Sequence, residues 1–187
     1  MSAGRPQSWK VVESEIVIDS PYFRLRCDHI ELADGRRVGD YYVRESRGFA
    51  VVFAVTPDDR VVLVRQYKHG ISEIVLELPA GGIDPGEDAQ TCAARELAEE
   101  TGYVSAPEDL SLLRSFILDP TSSTTRYHLY HAKDARALAP LKFDPLEDIE
   151  VELATFAELR RYVRDGTIAV GSQVAAIYHA LDVLERL

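Results

Sequence analysis

The feature that most constrains this chain is a glycine-rich stretch that leads directly into an acidic helical segment, GGIDPGEDAQTCAARELAEETGY at residues 81–103. Alanine, glutamate, leucine and arginine dominate the part from Asp88 to Thr101, and these residues favour an α-helix. Gly102 follows at the position where a left-handed glycine commonly ends a helix. The sequence therefore predicts a loop followed by one helix with a defined end.

Three carboxylates share one face of this predicted helix, because Glu96, Glu99 and Glu100 fall at i, i+3 and i+4. Like charges at this spacing repel by about a few tenths of a kcal/mol per pair. A solvated acidic face is the ordinary interpretation. A hard divalent cation is the more economical one here, since it binds several oxygens at once. Glu87 lies just ahead of the helix, where a loop would fold it back over the same face. Backbone carbonyls of the Pro79-Ala80-Gly81 turn would complete the oxygen shell.

The segments around this loop and helix predict a framework of β-strands. Short strands are predicted across residues 11–46, with a hairpin turn at Asp34-Gly35. Two buried strands, FAVVFAVT and RVVLVRQ, are joined at Pro57-Asp58-Asp59. The segment IVLELPAGG is predicted as one further strand that ends in glycines. Later strands are predicted at 111–118, 127–131 and 149–153.

Two more helices are predicted after the last strand. Thr155 and Glu158 form a capping box that opens a helix ending at Gly166. Ser172 is predicted to cap a final helix. Its apolar stripe consists of Val174, Ile177, Ala180, Leu181 and Leu184. The fold class is therefore α+β, a mixed sheet with helices packed on it.

Composition excludes some classes of function. The net charge of −10 argues against a nucleic-acid partner, because phosphate binding normally requires a basic surface. The longest apolar run, near Phe49–Val55, is too short to span a bilayer, and the first residues have no apolar core typical of a secretory signal. Cys27 and Cys92 lack metal-ligand spacing, which favours a reducing, cytoplasmic location.

The spacing of the segment at 81–103 resembles the signature of the Nudix hydrolases. Gly81 is followed by five residues and Glu87, then by seven residues and Arg95-Glu96-Leu97. One residue, Glu99-Glu100, one residue and Gly102 complete the match. The resemblance extends over residues 48–187 and implies a mixed sheet between helices. Tyr103 departs from the pattern, where a medium aliphatic residue is usual, and is expected to change packing rather than chemistry.

The resemblance also implies roles for individual residues. Two or three Mg²⁺ or Mn²⁺ ions would be held by Glu96, Glu100 and the carbonyl of Ala80, with Glu99 as a bridging ligand or a water-orienting group. Arg95 would anchor Glu87 or a helix glutamate through a charge-assisted pair. The ions would polarise phosphoryl oxygens and activate a water that attacks phosphorus.

Within the family, the chain resembles the ADP-ribose and nucleotide-sugar pyrophosphatases. The features that carry this resemblance are ELPAGGIDPGE, the strands at 1–47 and RQYKHG upstream. It implies a homodimer. Each chain would consist of an antiparallel β subdomain (1–47), whose strands cross to the partner subunit, and a catalytic domain (48–187). It also implies aromatic side chains that sandwich the base. Trp9, Tyr41 and Tyr42 are the candidates, and ordinary packing is the alternative for each.

Four further residues are candidates for the substrate site of that subfamily. Lys68 occupies a place where an arginine often contacts phosphate, and Arg65 either shares this work or is solvated at a strand end. Pro120 resembles a proline found after the signature, although it lies later than expected and TSSTT follows it. Glu147, with Glu150 and Asp148 nearby, is favoured as general base or additional metal ligand over a solvated loop acid.

These observations predict an enzyme that hydrolyses the pyrophosphate bond of ADP-ribose or another nucleoside diphosphate sugar. Another Nudix reaction, on dinucleoside polyphosphates or nucleoside triphosphates, is the first alternative. A module that senses nucleotide sugars without cleaving them is a second, but it would be expected to lose its metal-binding glutamates. A structural protein with an acidic face leaves the signature spacing unexplained.

Overall fold

The computed structural model describes residues 7–138 and 148–186. The chain divides into two compact units, Met1–Arg47 with Ile117–Arg126, and Gly48–Phe116 with Tyr127–Leu187. Residues 117–126 thus belong with the first unit although they follow most of the second in sequence. The division into two domains at residue 47 stays a prediction.

The first unit contains an antiparallel sheet of three strands in the order β1-β2-β3. The strands are β1 (Lys10–Asp19), β2 (Arg24–Glu31) and β3 (Arg37–Glu45). The β2–β3 turn contains Gly35 with a φ of 81°, a conformation that favours glycine. Among the described residues, strand β1 pairs with β2 alone, and all residues of β1 are exposed. The predicted N-terminal antiparallel strands are confirmed.

The second unit contains two larger sheets, with strand orders β7-β4-β10-β9 and β12-β5-β6, and a small β11-β8 pair. Strands β4 and β10 are parallel, whereas β5 pairs antiparallel with both of its neighbours, so the architecture is mixed as predicted. The strands are β4 (Phe49–Ala54), β5 (Arg60–Lys68), β6 (Glu73–Glu77), β7 (Ala80–Gly82), β8 (Tyr103–Val104), β9 (Leu110–Ile117), β10 (Arg126–Ala132), β11 (Arg136–Ala137) and β12 (Ile149–Thr155). The helices are α1 (Ala89–Thr101), α2 (Phe156–Asp165) and α3 (Gly171–Val183).

Alternation along the strands places helices on both faces of these sheets. Val51 and Phe53 of β4 pack in one buried cluster with Leu159 of α2 and Ile177 of α3. The intervening Val52 packs in a second cluster with residues of α1. The sheets are therefore sandwiched between α1 on one side and α2 and α3 on the other. Over the described residues, no helix is both long and apolar enough to cross a membrane.

Two local predictions fail for identifiable reasons. The segment IVLELPAGG is two strands, because the chain leaves the β5–β6 ladder after Glu77 and joins β4 at Ala80. Pro79 lies between them and has no N–H for either ladder. Ser172 does not cap the final helix: α3 begins at Gly171, and its N-cap Val170 makes no side-chain cap bond. By contrast, the Thr155–Glu158 capping box of α2 is confirmed.

Candidate active site

Helix α1 has defined ends. The carboxylate of Asp88 accepts hydrogen bonds from the backbone N–H groups of Gln90 and Thr91, and Gly102 ends the helix with a φ of 71°. Cys92, Ala93 and Leu97 on its inner face are buried against the sheet. This burial fixes the rotation of the helix about its axis, and hence the position of its glutamates.

Arg95 lies at the centre of the acidic cluster. Its Nε and Nη2 atoms each donate to a carboxylate oxygen of Glu87 at 2.9 Å, which is a bidentate pair. Its Nη1 donates to Glu96 at 2.7 Å and to Glu99 at 3.1 Å. Nη2 also donates to the carbonyl oxygen of Gly82 at 3.0 Å. One guanidinium thus connects the loop to two glutamates of α1.

These contacts shift the pKa values of both partners. The bond from Arg95 lowers the pKa of Glu87 to about 2 against the opposing effect of burial, and the backbone N–H of Asp84 contributes in the same direction. Conversely, the bond to Glu87, followed by those to the helix glutamates, raises the pKa of Arg95. Glu87 is therefore ionised at neutral pH and forms its ion pair with Arg95.

Gly81 makes room for the carboxylate of Glu96. A Cβ atom at residue 81 would lie 1.9 Å from the Cδ and Oε1 atoms of Glu96 and 2.2 Å from Oε2. Such distances are far below contact distance, so the glutamate occupies the space that any other residue at 81 would fill. A Cβ at the next residue, Gly82, would have no atom within 4 Å.

Glu100 is the most buried acid of the helix. Its side chain accepts a hydrogen bond from the backbone N–H of Ala80 at 3.0 Å, and the residue is only 3% exposed. Glu99 lies at the rim, with its side chain 42% exposed. The structure thus brings Glu96, Glu99, Glu100 and the Ala80 backbone together between β7 and α1.

The chemistry of these donors fits a hard divalent cation, because carboxylate and carbonyl oxygens are the ligands that Mg²⁺ and Mn²⁺ take. Over residues 7–138 and 148–186, however, no three histidine, cysteine or acidic side chains are arranged closely enough to hold an ion. Arg95 engages the carboxylates of Glu96 and Glu99. To serve as metal ligands, these two side chains would have to turn from the guanidinium toward the ion.

The two predicted phosphate-binding cations point to opposite faces of β5. Lys68 shares its face with Val62, which packs in the α1 cluster, and its Nζ lies 3.2 Å from the buried Glu77. Arg65 lies on the other face, where it donates to Glu152 at 2.8 Å. Only Lys68 is thus on the side of the sheet that carries the acidic helix.

In the first unit, two of the predicted aromatic residues lie together. Trp9, Tyr41 and Pro120 line one cavity of about 560 Å³ with Arg26 and the buried Asp28. The rings of Trp9 and Tyr41 are 5.8 Å apart at an interplanar angle of 83°. Tyr42, the next residue on β3, does not line this cavity, because alternate side chains of a strand point to opposite faces.

Glu147 lies outside the described residues. His128 contacts Ser115, and His69 contacts Tyr67. The ring of His131 lies 6.5 Å from that of Phe53 at an interplanar angle of 52°.

Sequence reasoning missed two side chains that hold the segment before α1. The thiol of Cys92 lies 3.4 Å from the carbonyl oxygens of both Gly81 and Gly82. The side-chain oxygen of Gln173 accepts from the N–H of Leu78 at 3.1 Å. The position of Cys92 inside the signature was a signal for the first, but nothing in the sequence pointed to the second.

Comparison with known proteins agrees with this geometry. The NUDIX domain model matches residues 45–169, and the model of the nucleoside diphosphate sugar hydrolase N-terminal domain matches residues 9–43. The methanol dehydrogenase activator of Bacillus methanolicus is 32% identical over 173 residues, covering 91% of each chain. The ADP-ribose pyrophosphatase of Bacillus subtilis is 25% identical over 171 residues, again covering 91% of each chain.

A solved structure shows the same fold. The crystal structure of an ADP compounds hydrolase superposes with a TM-score of 0.81 at 23% identity, covering 97% of this chain and 98% of that one. The NUDIX model alone covers well over half of the chain, including the whole loop and helix around Arg95. On this evidence the chain belongs to the Nudix family of hydrolases.

Proposed function

We propose that this Nudix hydrolase cleaves the pyrophosphate bond of a nucleoside diphosphate sugar, with ADP-ribose as the first candidate. One water adds across a P–O–P linkage, and the products are a nucleoside monophosphate and a sugar phosphate. Two observations carry the proposal. Arg95 contacts Glu96 and Glu99, while Glu100 of the same helix accepts from the Ala80 N–H. The same chain also matches a nucleoside diphosphate sugar hydrolase N-terminal domain. A relative of nearly the same length is named ADP-ribose pyrophosphatase.

Nudix hydrolases as a family use divalent metals, and we assign Mg²⁺ or Mn²⁺, in two or three ions, to this site. Glu96, Glu100 and the carbonyl of Ala80 would hold them, and Glu99 at the rim would bridge ions or orient the attacking water. When bound, the ions supply polarisation of the phosphoryl oxygens and a bound water of lowered pKa. The choice of metal follows from the all-oxygen donor set.

Arg95 has an organising role in this proposal. Because its bidentate pair with Glu87 uses Nε and Nη2, the remaining Nη1 stays directed at the helix glutamates. Glu87 thus acts through Arg95. If Glu96 and Glu99 served as metal ligands, Nη1 of Arg95 would be available to a phosphate oxygen, with which a guanidinium bonds well.

Lys68 is the proposed phosphate cation, restrained by its ion pair with Glu77. The pairing of Arg65 with Glu152, on the face away from α1, favours a structural role for Arg65. Glu147 stays a prediction as general base or additional ligand, since it lies outside the described residues.

The cavity lined by Trp9, Tyr41 and Pro120 is the proposed base site. The two rings meet edge to face, so a base would stack on one of them and meet the edge of the other. The hydroxyl of Tyr41 donates to the carbonyl of Thr121 at 2.5 Å, which fixes its ring. Tyr42 is left with a packing role on the other face of β3.

A homodimer through β1 is part of the proposal. This edge strand presents exposed apolar side chains at Val11, Val12, Ile16, Val17 and Ile18, each 41–53% exposed. An apolar edge strand with unpaired backbone groups is expected to be covered, and a second copy of the chain would bury both. Sedimentation of the protein and of Val17→Lys tests this: a monomeric wild type would contradict it. The cytoplasmic location stays a prediction.

The test of function is a substrate panel with and without excess Mg²⁺, with products identified by chromatography. The panel contains ADP-ribose, GDP-mannose, diadenosine polyphosphate and nucleoside triphosphates. Metal-dependent release of a nucleoside monophosphate and a sugar phosphate is the expected result, and H₂¹⁸O in the buffer identifies the attacked phosphorus. Cleavage of triphosphates or dinucleotides alone would overturn the substrate assignment. Thermal stabilisation by a ligand without cleavage would favour a sensing module.

A further inference from the structure

We infer that Gln173, on helix α3, is a positioning residue for the metal-site turn formed by Leu78, Pro79 and Ala80. The inference rests on the proposed metal site, to which Ala80 contributes its backbone carbonyl. Gln173 is 95 residues away from Leu78 in sequence and lies on the opposite side of the sheets from the acidic helix α1.

The turn needs support because the chain changes sheets there. Glu77 ends the ladder with β5, and Ala80 begins the ladder with β4. The Leu78 N–H is left facing a buried environment, and Leu78 is fully buried. A buried N–H without an acceptor is costly, so the acceptor that it finds will determine where this segment lies.

Two side chains, one from each helical layer, supply the acceptors. The Oε1 atom of Gln173 accepts from Leu78 N–H at 3.1 Å, and Oε2 of Glu100 accepts from Ala80 N–H at 3.0 Å. Between them, the carbonyl of Pro79 accepts from Val52 N–H at 2.9 Å. Gln173 therefore holds the side of the turn that faces away from the metal ligands.

Gln173 is itself held rigidly. It is 3% exposed, and Ala176 and Ile177 on the next turn of α3 are fully buried. The hydroxyl of Tyr127 on β10 donates to the carbonyl of Ser172 at 3.2 Å, which ties the start of α3 to the central strand. The side-chain amide thus has little freedom to follow a displaced turn. An outer-shell group of this kind commonly affects metal affinity by about 10- to 100-fold when it is removed.

The experiment compares Gln173→Met, which keeps the length of the side chain but removes the acceptor, with Gln173→Glu, which keeps an acceptor oxygen. Ile177→Val on the same helix is the matched control for lost packing. Mn²⁺ affinity is measured by electron paramagnetic resonance, and amide exchange of the peptide containing residues 78–82 is measured in metal-free protein. Steady-state kinetics at saturating metal then separates kcat from KM.

For Gln173→Met we expect Mn²⁺ affinity about 10- to 100-fold weaker, faster amide exchange at 78–82 and a lower kcat, with KM changed less than about threefold. Gln173→Glu should keep the Mn²⁺ affinity within about threefold of wild type. Ile177→Val should lower the melting temperature without weakening Mn²⁺ binding. If Gln173→Met does not fold, Gln173→Asn is used, because its amide is one methylene too short to reach Leu78.

Unchanged Mn²⁺ affinity in the Met or Asn variant would overturn the inference, as would equal weakening in Ile177→Val. These outcomes are distinct from failure of the proposed function, which would appear as a wild-type protein without metal-dependent turnover.

Discussion

Replacing Gly81 by alanine tests whether the site depends on the position of one carboxylate. The added Cβ would lie 1.9 Å from Cδ of Glu96. Since carbon atoms in contact are about 3.5 Å apart, the carboxylate has to retreat by about 1.6 Å. Glu96 could then no longer bind an ion from the space beside residue 81, because a metal ligand tolerates deviations of only about 0.2 Å.

The fold should survive this change, because the group that moves is the end of a flexible side chain. An unfavourable rotamer of Glu96 lowers the free energy of unfolding by about 1 kcal/mol. Replacement of glycine by alanine offsets part of this loss, because it lowers the conformational entropy of the unfolded chain. Turnover, by contrast, should fall by about 100-fold or more, as a displacement of about 1 Å at a catalytic group can cause. We therefore expect turnover to fall strongly while the melting temperature stays close to that of wild type.

Gly82→Ala is the matched control, because its Cβ would meet no atom within 4 Å. Its turnover should stay within about threefold of wild type. Adding Glu96→Asp to Gly81→Ala should relieve the clash without restoring turnover, since the shorter side chain withdraws the carboxylate from the site by about 1.5 Å, one carbon–carbon bond. The assay is metal-dependent hydrolysis of ADP-ribose, with melting temperature measured in parallel. Wild-type turnover in Gly81→Ala, or equal losses in both alanine variants, would refute the reasoning.

Three further changes have separate outcomes. Glu100→Gln should abolish metal-dependent turnover while leaving the melting temperature unchanged or slightly raised; unchanged turnover at saturating Mg²⁺ would contradict a ligand role. The lowering of the Glu87 pKa from 4.5 to about 2 corresponds to about 3 kcal/mol of unfolding free energy, which is present above pH 4.5 and lost as the pH falls toward 2. Urea titrations of the metal-free protein should therefore show Glu87→Gln to be less stable than wild type by this amount at pH 7, and the difference should disappear near pH 2. Burial, with Glu96 nearby, raises the pKa of Cys92 to about 12, so a thiol reagent at pH 8 should react slowly until urea unfolds the protein.

The sequence predicted the parts of the structure that depend on near neighbours. The capping box of Thr155 and Glu158 spans three residues, and the helix after Asp88 is specified by its own composition and by Gly102. The acidic face of α1 likewise follows from helical periodicity. The pairing of Arg95 with Glu87 or a helix glutamate was predicted, but its simultaneous contact with both required side-chain geometry.

What the sequence did not predict depends on contacts between distant segments. Arg65 and Lys68 lie three residues apart on a strand, so their opposite faces could be inferred only once β5 was known to be regular through both. No local sequence pattern at Leu78 indicates that its N–H donates to Gln173. Helix α3 also begins at Gly171, with Val170 as its N-cap, although the local preference was for a cap at Ser172.

The contact between Leu78 and Gln173 also bears on the order of events in folding. Helix α1 and the Arg95–Glu87 pair join residues close in sequence, and such contacts form early because they close short loops. The 95-residue separation of Leu78 from Gln173 makes the anchoring of the metal-site turn one of the last steps. A refolding chain should therefore regain helical signal before it regains turnover.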